Sequence, residues 1–254
     1  QPPVESKWFQ TQIPKIGTGL WCFKTEQNQM FLLLANDVTV KGGSFGTEEA
    51  KMFVGVCQYA REHHLPLIYW SANAGARMGS PDVLKSVIRV HQNQENKNDT
   101  YIYILDQDYQ RLQLKDDITA LKVEIGDEIR WRVESIHGFP GIGVENLSWS
   151  GAMAREMVLT REKCFTLSYV TGRSVGIGAY LNKLGERIIQ KNDSPLLLTG
   201  AGALNKLYCN NVYNGNHELG GPGVMERNGI SHRIVESDQD GVIQIVRWID
   251  GHFP

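Results

Sequence analysis

Residues 165–184 contain the pattern that decides the fold: FTLSYV, then TGRSVGIG, then AYLNKL. The apolar run 165–170 predicts a buried strand, and the small residues of 171–178 predict a turn. Amphipathic spacing predicts a helix that continues to about Leu184. A strand, a glycine-rich turn and a helix in this order form the repeating unit of α/β proteins.

Similar units occur elsewhere in the chain. Each has a short apolar strand, a turn of small residues and a helical pattern. The first unit has a strand at 31–35, a turn at 42–46 and a helix at about 48–63. The second has a strand at 67–70, a turn at 71–79 and a helix at about 81–90. The third has a strand at 196–199, a turn at 200–203 and a short helix that ends at about 207. Continuous apolar strands joined by helices are typical of sheets that helices cover on both faces, so the sequence predicts an α/β fold.

The remaining segments surround or interrupt these units. Strands predicted at 101–105, 120–125 and 130–135 indicate an insertion, and the polar residues 92–100 indicate a surface loop. A last helix is predicted over about 241–249. Residues 1–16 are polar and contain three prolines, which is typical of an arm or linker, and the globular region is predicted at 17–254. Because the chain starts with Gln1, we expect an interior piece of a longer polypeptide.

Composition excludes several classes of protein. The chain has 254 residues, of which 41% are hydrophobic and 21% charged, as in ordinary globular proteins. A net charge of −2 gives no basic face for nucleic acid. No apolar run approaches the roughly 20 residues that a membrane span needs. Glycine is enriched, at 26 residues.

Four widely spaced cysteines form no CxxC pair, so a zinc ribbon is not indicated. They are Cys22, Cys57, Cys164 and Cys209. We expect reduced, mostly buried thiols in a cytosol-like compartment.

The glycine-rich turns are the candidate functional segments. Turns at strand ends and helix N-termini present backbone N–H groups, which bind anions and developing negative charge. The alternative for each turn is that glycine serves close helix–strand packing. Dinucleotide, P-loop, nucleophile-elbow and HExxH motifs are absent from the sequence. His63 and His64 are predicted at a solvated helix end and His232 as a packing residue. Without an acid–base pair, the site is expected to use backbone donors, with the base supplied by the substrate or by another polypeptide.

Six motifs in order identify a resemblance that covers about residues 17–254. They are 35–39 (ANDVT) with 43–46 (GSFG), 71–79 (SANAGARMG), 143–147 (GVENL), 170–181 (VTGRSVGIGAYL), 198–206 (LTGAGALNK), and 219–222 (LGGP) with 228–232 (NGISH). Together they resemble the N-terminal half of the carboxyltransferase domain of eukaryotic-type, multidomain acetyl-CoA carboxylase. The resemblance implies a crotonase-like (ClpP/crotonase) α/β fold, with β-β-α units wound into a superhelix.

The resemblance also implies the reaction and its partners. Carboxybiotin on a carrier domain would give its carboxyl group to acetyl-CoA to form malonyl-CoA, and no metal is expected in this half. The implied partners are the C-terminal carboxyltransferase half, the biotin carboxyl carrier and the biotin carboxylase domains, in a homodimer. Neither nucleic acid nor a membrane span is expected, and the implied location is the cytoplasm or a plastid.

Site residues follow from the resemblance position by position. Gly176 and the Ile177 N–H resemble the oxyanion donors of this half. Arg173 resembles an arginine that contacts acetyl-CoA, with a structural ion pair as the alternative. Tyr180 and Leu147 match residues that line the active-site pocket, with core packing as the alternative. The turn at Ala74, Gly75 and Arg77 is expected near the CoA thioester or phosphates.

Some positions depart from the family pattern. Trp149 and the pair Arg155 and Glu156 replace small residues, and Trp149 could narrow the pocket entrance. Residues 209–211 (CNN) replace a Gly-Arg-Glu sequence. Two further hypotheses therefore stay open. One is another acyl-CoA enzyme of the crotonase type, such as a propionyl-CoA carboxyltransferase or a decarboxylase. The other is a non-catalytic scaffold.

Overall fold

The structure, a computed structural model, describes residues 16–77, 82–93, 100–114, 118–136 and 146–252. These residues divide into two units, of which the first lies within Gln1–Ala76 and Trp149–Pro254 and the second within Arg77–Ser148. Each unit has its own sheet and its own apolar core.

The strands are numbered along the chain. They are β1 (Thr18–Lys24), β2 (Met30–Asn36), β3 (Leu67–Asn73), β4 (Arg89–Gln92), β5 (Thr100–Leu105), β6 (Ile118–Ile125), β7 (Glu128–Ile136), β8 (Thr166–Val175), β9 (Arg187–Lys191), β10 (Leu196–Leu197) and β11 (Arg233–Val235).

The helices are numbered in the same way. They are α1 (Thr47–His63), α2 (Asp82–Val87), α3 (Asp106–Arg111), α4 (Asn146–Arg161), α5 (Ile177–Leu184), α6 (Ala201–Leu207), α7 (His217–Gly220), α8 (Pro222–Met225) and α9 (Asp238–His252). A 3-10 turn spans Lys41–Gly43.

The sheet of the first unit has the strand order β1-β2-β3-β8-β9-β11, and β10 pairs with β8. Strands β1 and β2 are antiparallel, whereas the other pairs are parallel. Leu67 of β3 pairs with Leu32 of β2 and with Thr166 of β8. Because β2, β3 and β8 run in the same direction, their carboxyl ends and the turns that follow meet at one edge of the sheet.

Apolar clusters cover both faces of this sheet, as the sequence predicted. Leu67 and Tyr69 of β3 pack with residues of α1, α4 and α5. Ile68 and Trp70 point to the opposite face and pack with residues of α9. Side chains alternate between faces along a strand, so a continuous apolar strand can serve both clusters.

Helix α1 begins and ends at specific polar contacts. Glu49 is 2% exposed, and its carboxylate accepts the Gly46 N–H at 2.8 Å and the Gly17 N–H at 2.9 Å. The helix ends at His64, whose φ of 53° is left-handed and whose N–H is donated to Ala60 O. One stripe of apolar side chains enters the core: Phe53, Val56, Cys57 and Ala60.

The second unit is an antiparallel sheet with the order β4-β5-β7-β6. Ile104 and Ile118 lie in its buried cluster, together with residues of α2 and α3. The Trp131 ring stacks on Tyr109 at 4.1 Å between ring centroids, and its indole N–H is donated to Asp106 at 2.7 Å. The insertion that the sequence predicted therefore has a core of its own.

Several sequence predictions require correction. The helix predicted over 81–90 ends at Val87, because Val90 pairs with Ile102 in the antiparallel β4–β5 ladder. Residues 171–175, predicted as a turn, continue β8. The strand predicted at 196–199 is limited to Leu196–Leu197. Only two of the four unpaired cysteines are buried, because Cys22 and Cys209 are exposed.

Other elements were not predicted from sequence at all, namely β1, α3, α4, β9, α7 and α8. Helix α4 lacks a clear apolar stripe, which explains why periodicity did not reveal it. The remaining predicted strands and helices are confirmed within one to three residues at most ends. The described residues exclude positions 1–15 of the arm predicted at 1–16, Pro81, and positions 94–99 of the predicted loop.

Candidate functional site

Polar side chains join the carboxyl ends of β2, β3 and β8. The Asn36 Oδ1 atom accepts hydrogen bonds from the Tyr69 hydroxyl at 2.8 Å and from the Ala72 N–H at 3.3 Å. The Asn73 Nδ2 atom donates to the Ser174 Oγ atom at 3.0 Å. These contacts bring the turns after the three strands to one place.

Two of these turns approach each other through glycines with positive φ. Gly43 has a φ of 68°, and a Cβ atom there would lie 2.5 Å from Ala72 O. Gly75 has a φ of 78°, and a Cβ atom there would lie 2.8 Å from Val175 O. The Phe45 N–H is donated to Gly75 O at 2.8 Å. Glycine is therefore required at both positions, both for conformation and for space.

Gly176 follows β8 with a φ of 56° and a ψ of −123°, a conformation that essentially only glycine adopts. A Cβ atom there would lie 3.9 Å from the Gly75 Cα atom, so the turns after β3 and β8 lie side by side. The Gly176 N–H is donated to Leu197 O at 3.1 Å. Gly176 thus uses its own N–H within the sheet and turns the chain so that α5 begins at Ile177.

Helix α5 presents unsatisfied backbone donors at this place. Ile177 is its first residue, and among the described residues no side chain caps the helix. The N–H groups of the first turn of an α-helix have no partner inside the helix, and the helix dipole favours negative charge there. The N-terminus of α5 can therefore receive an anionic oxygen.

Other N–H groups of the turns already have acceptors. The Gly75 and Val175 N–H groups are donated to Asn73 Oδ1 at 3.0 Å and 3.4 Å. The Ala201 N–H, after β10, is donated to Asn216 Oδ1 at 2.9 Å. The sequence predicted that the glycine-rich turns present backbone donors, with helix–strand packing as the alternative for each turn. In the described part of the chain, the Gly75, Val175 and Ala201 N–H groups are occupied, whereas the first turn of α5 at Ile177 has no side-chain cap.

Arg173 lies in an irregular stretch of β8. Val170 pairs with Ser71 and Ser174 pairs with Asn73, so three residues of β8 face only Ala72 of β3. Such a bulge redirects side chains and is common beside active sites. Arg173 is exposed, and among the described residues no acidic side chain forms an ion pair with it. The structural ion pair that stood as the alternative for Arg173 is absent from this part of the chain.

The other predicted site residues have different positions. Tyr180 is 52% exposed on α5, three residues after Ile177, so it is not a core residue of the first unit. Ala74 and Gly75 directly follow β3. Arg77 belongs to the second unit, where it is partly buried. Leu147 lies in the first turn of α4, and its side chain is outside the described part of the structure.

The buried polar side chains beneath the turns are neutral ones. Burial raises the pKa of the Tyr69 hydroxyl well above its usual range, so Tyr69 stays protonated and hydrogen-bonded. Its neighbours are the amides Asn36 and Asn73 and the Ser71 hydroxyl, and Asn73 in turn donates to the Ser174 hydroxyl. Among the described residues, no group of His, Cys, Asp and Glu could hold a metal ion. Within the described residues, the buried network beneath the turns offers hydrogen-bond donors and contains no carboxylate or imidazole.

A surface cleft of about 290 Å³ lies at the other end of β8. It is lined by Phe165, Arg187, Arg247, Trp248 and Gly251. Since Phe165 precedes the ten residues of β8 and Gly176 follows them, the cleft lies about 30 Å from the turns along the strand. It is separate from the candidate site.

The departures from the family pattern have structural roles. Trp149 is partly buried and packs against the core beside α1. Glu156 is 3% exposed and forms an ion pair with Arg61 of α1. Cys209 follows α6 with a left-handed φ of 50°. Trp149 and Glu156 thus contribute to packing between α4 and α1.

Sequence reasoning missed the polar network beneath the turns. Its members are Asn36, Tyr69, Ser71, Asn73, Ser174 and Asn182. The available signal was an Asn at the end of two neighbouring predicted strands, Asn36 and Asn73. Ser174 of β8, which accepts from Asn73, and Asn182 of α5, which donates to Ser71, lie more than 100 residues further along the chain and carry no local signal.

Comparison with known proteins identifies the family. A model described as "Carboxyl transferase domain" matches residues 24–253. The chain is 43% identical over 246 residues to acetyl-CoA carboxylase 1 of Oryza sativa subsp. japonica, covering 93% of the chain and 11% of that protein. It is 43% identical over 258 residues to acetyl-CoA carboxylase of Dictyostelium discoideum, covering 98% of the chain and 11% of that protein.

A third relative, acetyl-CoA carboxylase 2 of Arabidopsis thaliana, is 44% identical over 222 residues, which cover 86% of the chain and 9% of that protein. The chain thus spans about a tenth of the length of these relatives. In the described residues, no helix is both long and apolar enough to cross a bilayer. The match over residues 24–253 shows that the chain belongs to the carboxyl transferase domain family.

Proposed function

We propose that this chain is the acyl-CoA half of a carboxyltransferase that moves a carboxyl group from carboxybiotin to acetyl-CoA, giving malonyl-CoA. The observation that carries the proposal is the uncapped N-terminus of α5 beside Gly75, in a chain of the carboxyl transferase family. Relatives named acetyl-CoA carboxylase support the choice of acyl group. We infer a crotonase-like fold with β-β-α units in a superhelix and assign residues 17–254 to the N-terminal half of the domain.

The chain's own contribution is to stabilise charge. When the acetyl methyl group loses a proton, negative charge develops on the thioester oxygen of the resulting enolate, and the enolate carbon then forms a bond to the carboxyl carbon, which restores the neutral thioester. The Ile177 N–H, at the positive end of α5, is the proposed donor to that oxygen. Gly176 contributes through its conformation, because its own N–H is donated to Leu197 O.

Carboxybiotin, when bound, supplies the carboxyl group and, once that group has left its nitrogen, the base that takes the methyl proton. The neutral amides and hydroxyls beneath the turns fit a site whose base arrives with the other reactant. We assign the groups that hold biotin to the C-terminal half, and the carrier and biotin carboxylase domains to the wider polypeptide or complex.

Binding of acetyl-CoA is assigned to the residues at which the family motifs match. Exposed Arg173 is proposed to contact the acyl-CoA, and Tyr180 and Leu147 to line the pocket. Ala74, Gly75 and Arg77 are proposed near the thioester or the phosphates. A homodimer in the cytoplasm or a plastid completes the proposal.

The test compares two glycines with positive φ in the complete enzyme that contains this chain. Gly176→Ala is expected to lower malonyl-CoA formation by about 10²-fold, because the N–H of residue 177 is redirected. Gly229 also has a positive φ, 66°, with no atom within 4 Å of an added Cβ. Gly229→Ala is therefore the control for backbone strain alone and should keep its turnover. Equal turnover in the two variants would contradict the oxyanion role.

The acyl group and the scaffold hypothesis have their own tests. A strong preference of the complete enzyme for propionyl-CoA over acetyl-CoA would replace the acetyl assignment. Absence of both acetyl-CoA binding by calorimetry and turnover would favour a scaffold. Because Trp149 packs against the core, its bulk gives no reason to prefer a scaffold.

A further inference from the structure

A single buried amide contacts both turns of the candidate site. Asn73 is the last residue of β3 and is 2% exposed. Its Oδ1 atom accepts the Gly75 N–H at 3.0 Å and the Val175 N–H at 3.4 Å. The turn after β3 and the end of β8 therefore share one acceptor.

The other end of this amide lies among hydroxyl groups. The Nδ2 atom lies 3.0 Å from Ser174 Oγ, 3.1 Å from the Tyr69 hydroxyl oxygen and 3.2 Å from Ser71 Oγ. An amide rotated by 180° would point its NH₂ group at two backbone N–H donors, which is unfavourable. The Gly75 and Val175 N–H groups, which can only donate, thus keep the Asn73 oxygen towards them, and the three hydroxyls accept from the other end of the amide.

Asn73 also limits how closely α5 can approach. Gly178 is buried in the first turn of α5, and a Cβ atom there would overlap both Oδ1 and Nδ2 of Asn73. Asn73 therefore contacts the chain on both sides of the Gly176–Ile177 peptide, through the Val175 N–H before it and through Gly178 after it.

We propose that Asn73 is a positioning residue that sets the direction of the Ile177 N–H by holding the end of β8 and the start of α5 against the turn at Gly75. It does not touch the substrate. The inference rests on the proposed function, in which that N–H stabilises the enolate. Donors of this kind act because they are oriented before the charge develops, and small displacements reduce their effect strongly.

The test is Asn73→Ala in the complete enzyme, with the folded fraction measured by circular dichroism at the assay temperature. Per folded molecule, kcat is expected to decrease by about 10²-fold, because the displaced Ile177 N–H no longer aligns with the charge that develops in the transition state. The KM for acetyl-CoA is expected to change by less than about threefold, because contacts to the rest of the CoA remain. Unchanged kcat per folded molecule would overturn the inference.

Gln190→Ala is the matched control. Gln190 is also a fully buried amide of the first unit, and it donates to Ser194 O at 2.8 Å and to Gly220 O at 3.0 Å. The Gln190→Ala change removes a comparable hydrogen-bonded amide that has no hydrogen bond to the turns of the candidate site. We expect a loss of Tm similar to that of Asn73→Ala, with normal kcat per folded molecule. An equal loss of kcat in both variants would assign the effect to general destabilisation and overturn the proposal.

Hydrogen exchange in the unmutated chain tests the contacts without an activity assay. The Gly75 and Val175 amides should exchange slowly, since both are held by Asn73. Rapid exchange of both would overturn the positioning role even if Asn73→Ala did not fold. An unmutated complete enzyme that forms no malonyl-CoA would instead defeat the proposed function and leave this structural test standing.

Discussion

The Asn73 side chain occupies the space that a Cβ atom at Gly178 would need. Helix α5 begins one residue earlier than Gly178, at Ile177, at the end of the turn after β8. The absence of a side chain at Gly178 therefore lets α5 lie against the end of β3. This contact couples two segments that are about 100 residues apart in the chain.

Gly178→Ala should destabilise the chain although alanine is the better helix former. The added methyl group forces Asn73 to move, and such overpacking costs about 1–3 kcal/mol. Gly55→Ala in α1 is the control, because Gly55 is exposed and has no atom within 4 Å of an added Cβ. Gly55→Ala should be stabilising by up to about 1 kcal/mol. Urea denaturation measures both changes, and a neutral Gly178→Ala would contradict the overlap.

Gly178→Ala should cost less when Asn73 is already alanine. The Asn73→Ala change removes the atoms that the new methyl group overlaps, so the two effects are not additive. A double-mutant cycle from denaturation midpoints measures the coupling. Strict additivity of the two free-energy changes would show that the cost of a methyl group at residue 178 comes from contacts other than those with Asn73.

Arg173→Ala should weaken acyl-CoA binding without destabilising the fold. Arg173 is exposed in the β8 bulge and, among the described residues, has no ion-pair partner to lose. The KM for acetyl-CoA is expected to rise by about tenfold, as for one charge-assisted contact. Arg233→Ala, at an exposed position of β11, should leave the KM unchanged. An unchanged KM in Arg173→Ala would remove this residue from the site.

Arg61→Met should destabilise the chain through Glu156. The Glu156 side chain is nearly buried, and Arg61 forms an ion pair with it and donates to Glu156 O at 3.2 Å. Loss of one partner of a buried pair costs about 3–5 kcal/mol. We expect the lower end of this range, because Arg155 remains 2.5 Å from Glu156. Lys51→Met breaks an exposed pair on the same helix and should cost less than about 1 kcal/mol. Equal urea denaturation midpoints for the Arg61→Met and Lys51→Met variants would contradict the burial of Glu156.

His232 should make stability depend on pH near neutrality. Its Nδ1 atom accepts the Ile188 N–H at 3.0 Å, which requires the neutral ring. Burial, together with the positive charges of Arg187 and Lys183, holds the pKa of His232 below its usual 6.5. The unfolded chain therefore binds this proton more readily, so the stabilisation is complete above about pH 6.5 and decreases as the pH falls towards the folded-state pKa.

His232→Asn isolates this effect, because the Asn oxygen can accept the same N–H without titrating. The difference in unfolding free energy between wild type and variant should shrink as the pH falls from 7.5 to about 5. Denaturation at several pH values provides the measurement. A difference that stays constant with pH would show that His232 titrates alike in both states.

The strands and helices that are strongly periodic could be predicted from the sequence. Helix α1 has a stripe of apolar residues at helical spacing, and β3 is a short continuous apolar run, so local pattern was sufficient. Helix α4 could not be predicted in this way, because its apolar residues do not form a stripe. Arg89 and Val90 of β4 were predicted as the end of a helix, because only the pairing with β5 makes them extended.

The sequence by itself determined that glycines follow the strand ends, that no common nucleophile or metal motif is present, and which family the motifs resemble. Only the tertiary structure decided which donors remain available. The Gly75, Val175 and Gly176 N–H groups find acceptors in residues from other segments, whereas the α5 N-terminus has no side-chain cap in the described chain. The physical reason is that hydrogen bonds between distant segments depend on how the strands align in the sheet, which local sequence does not encode.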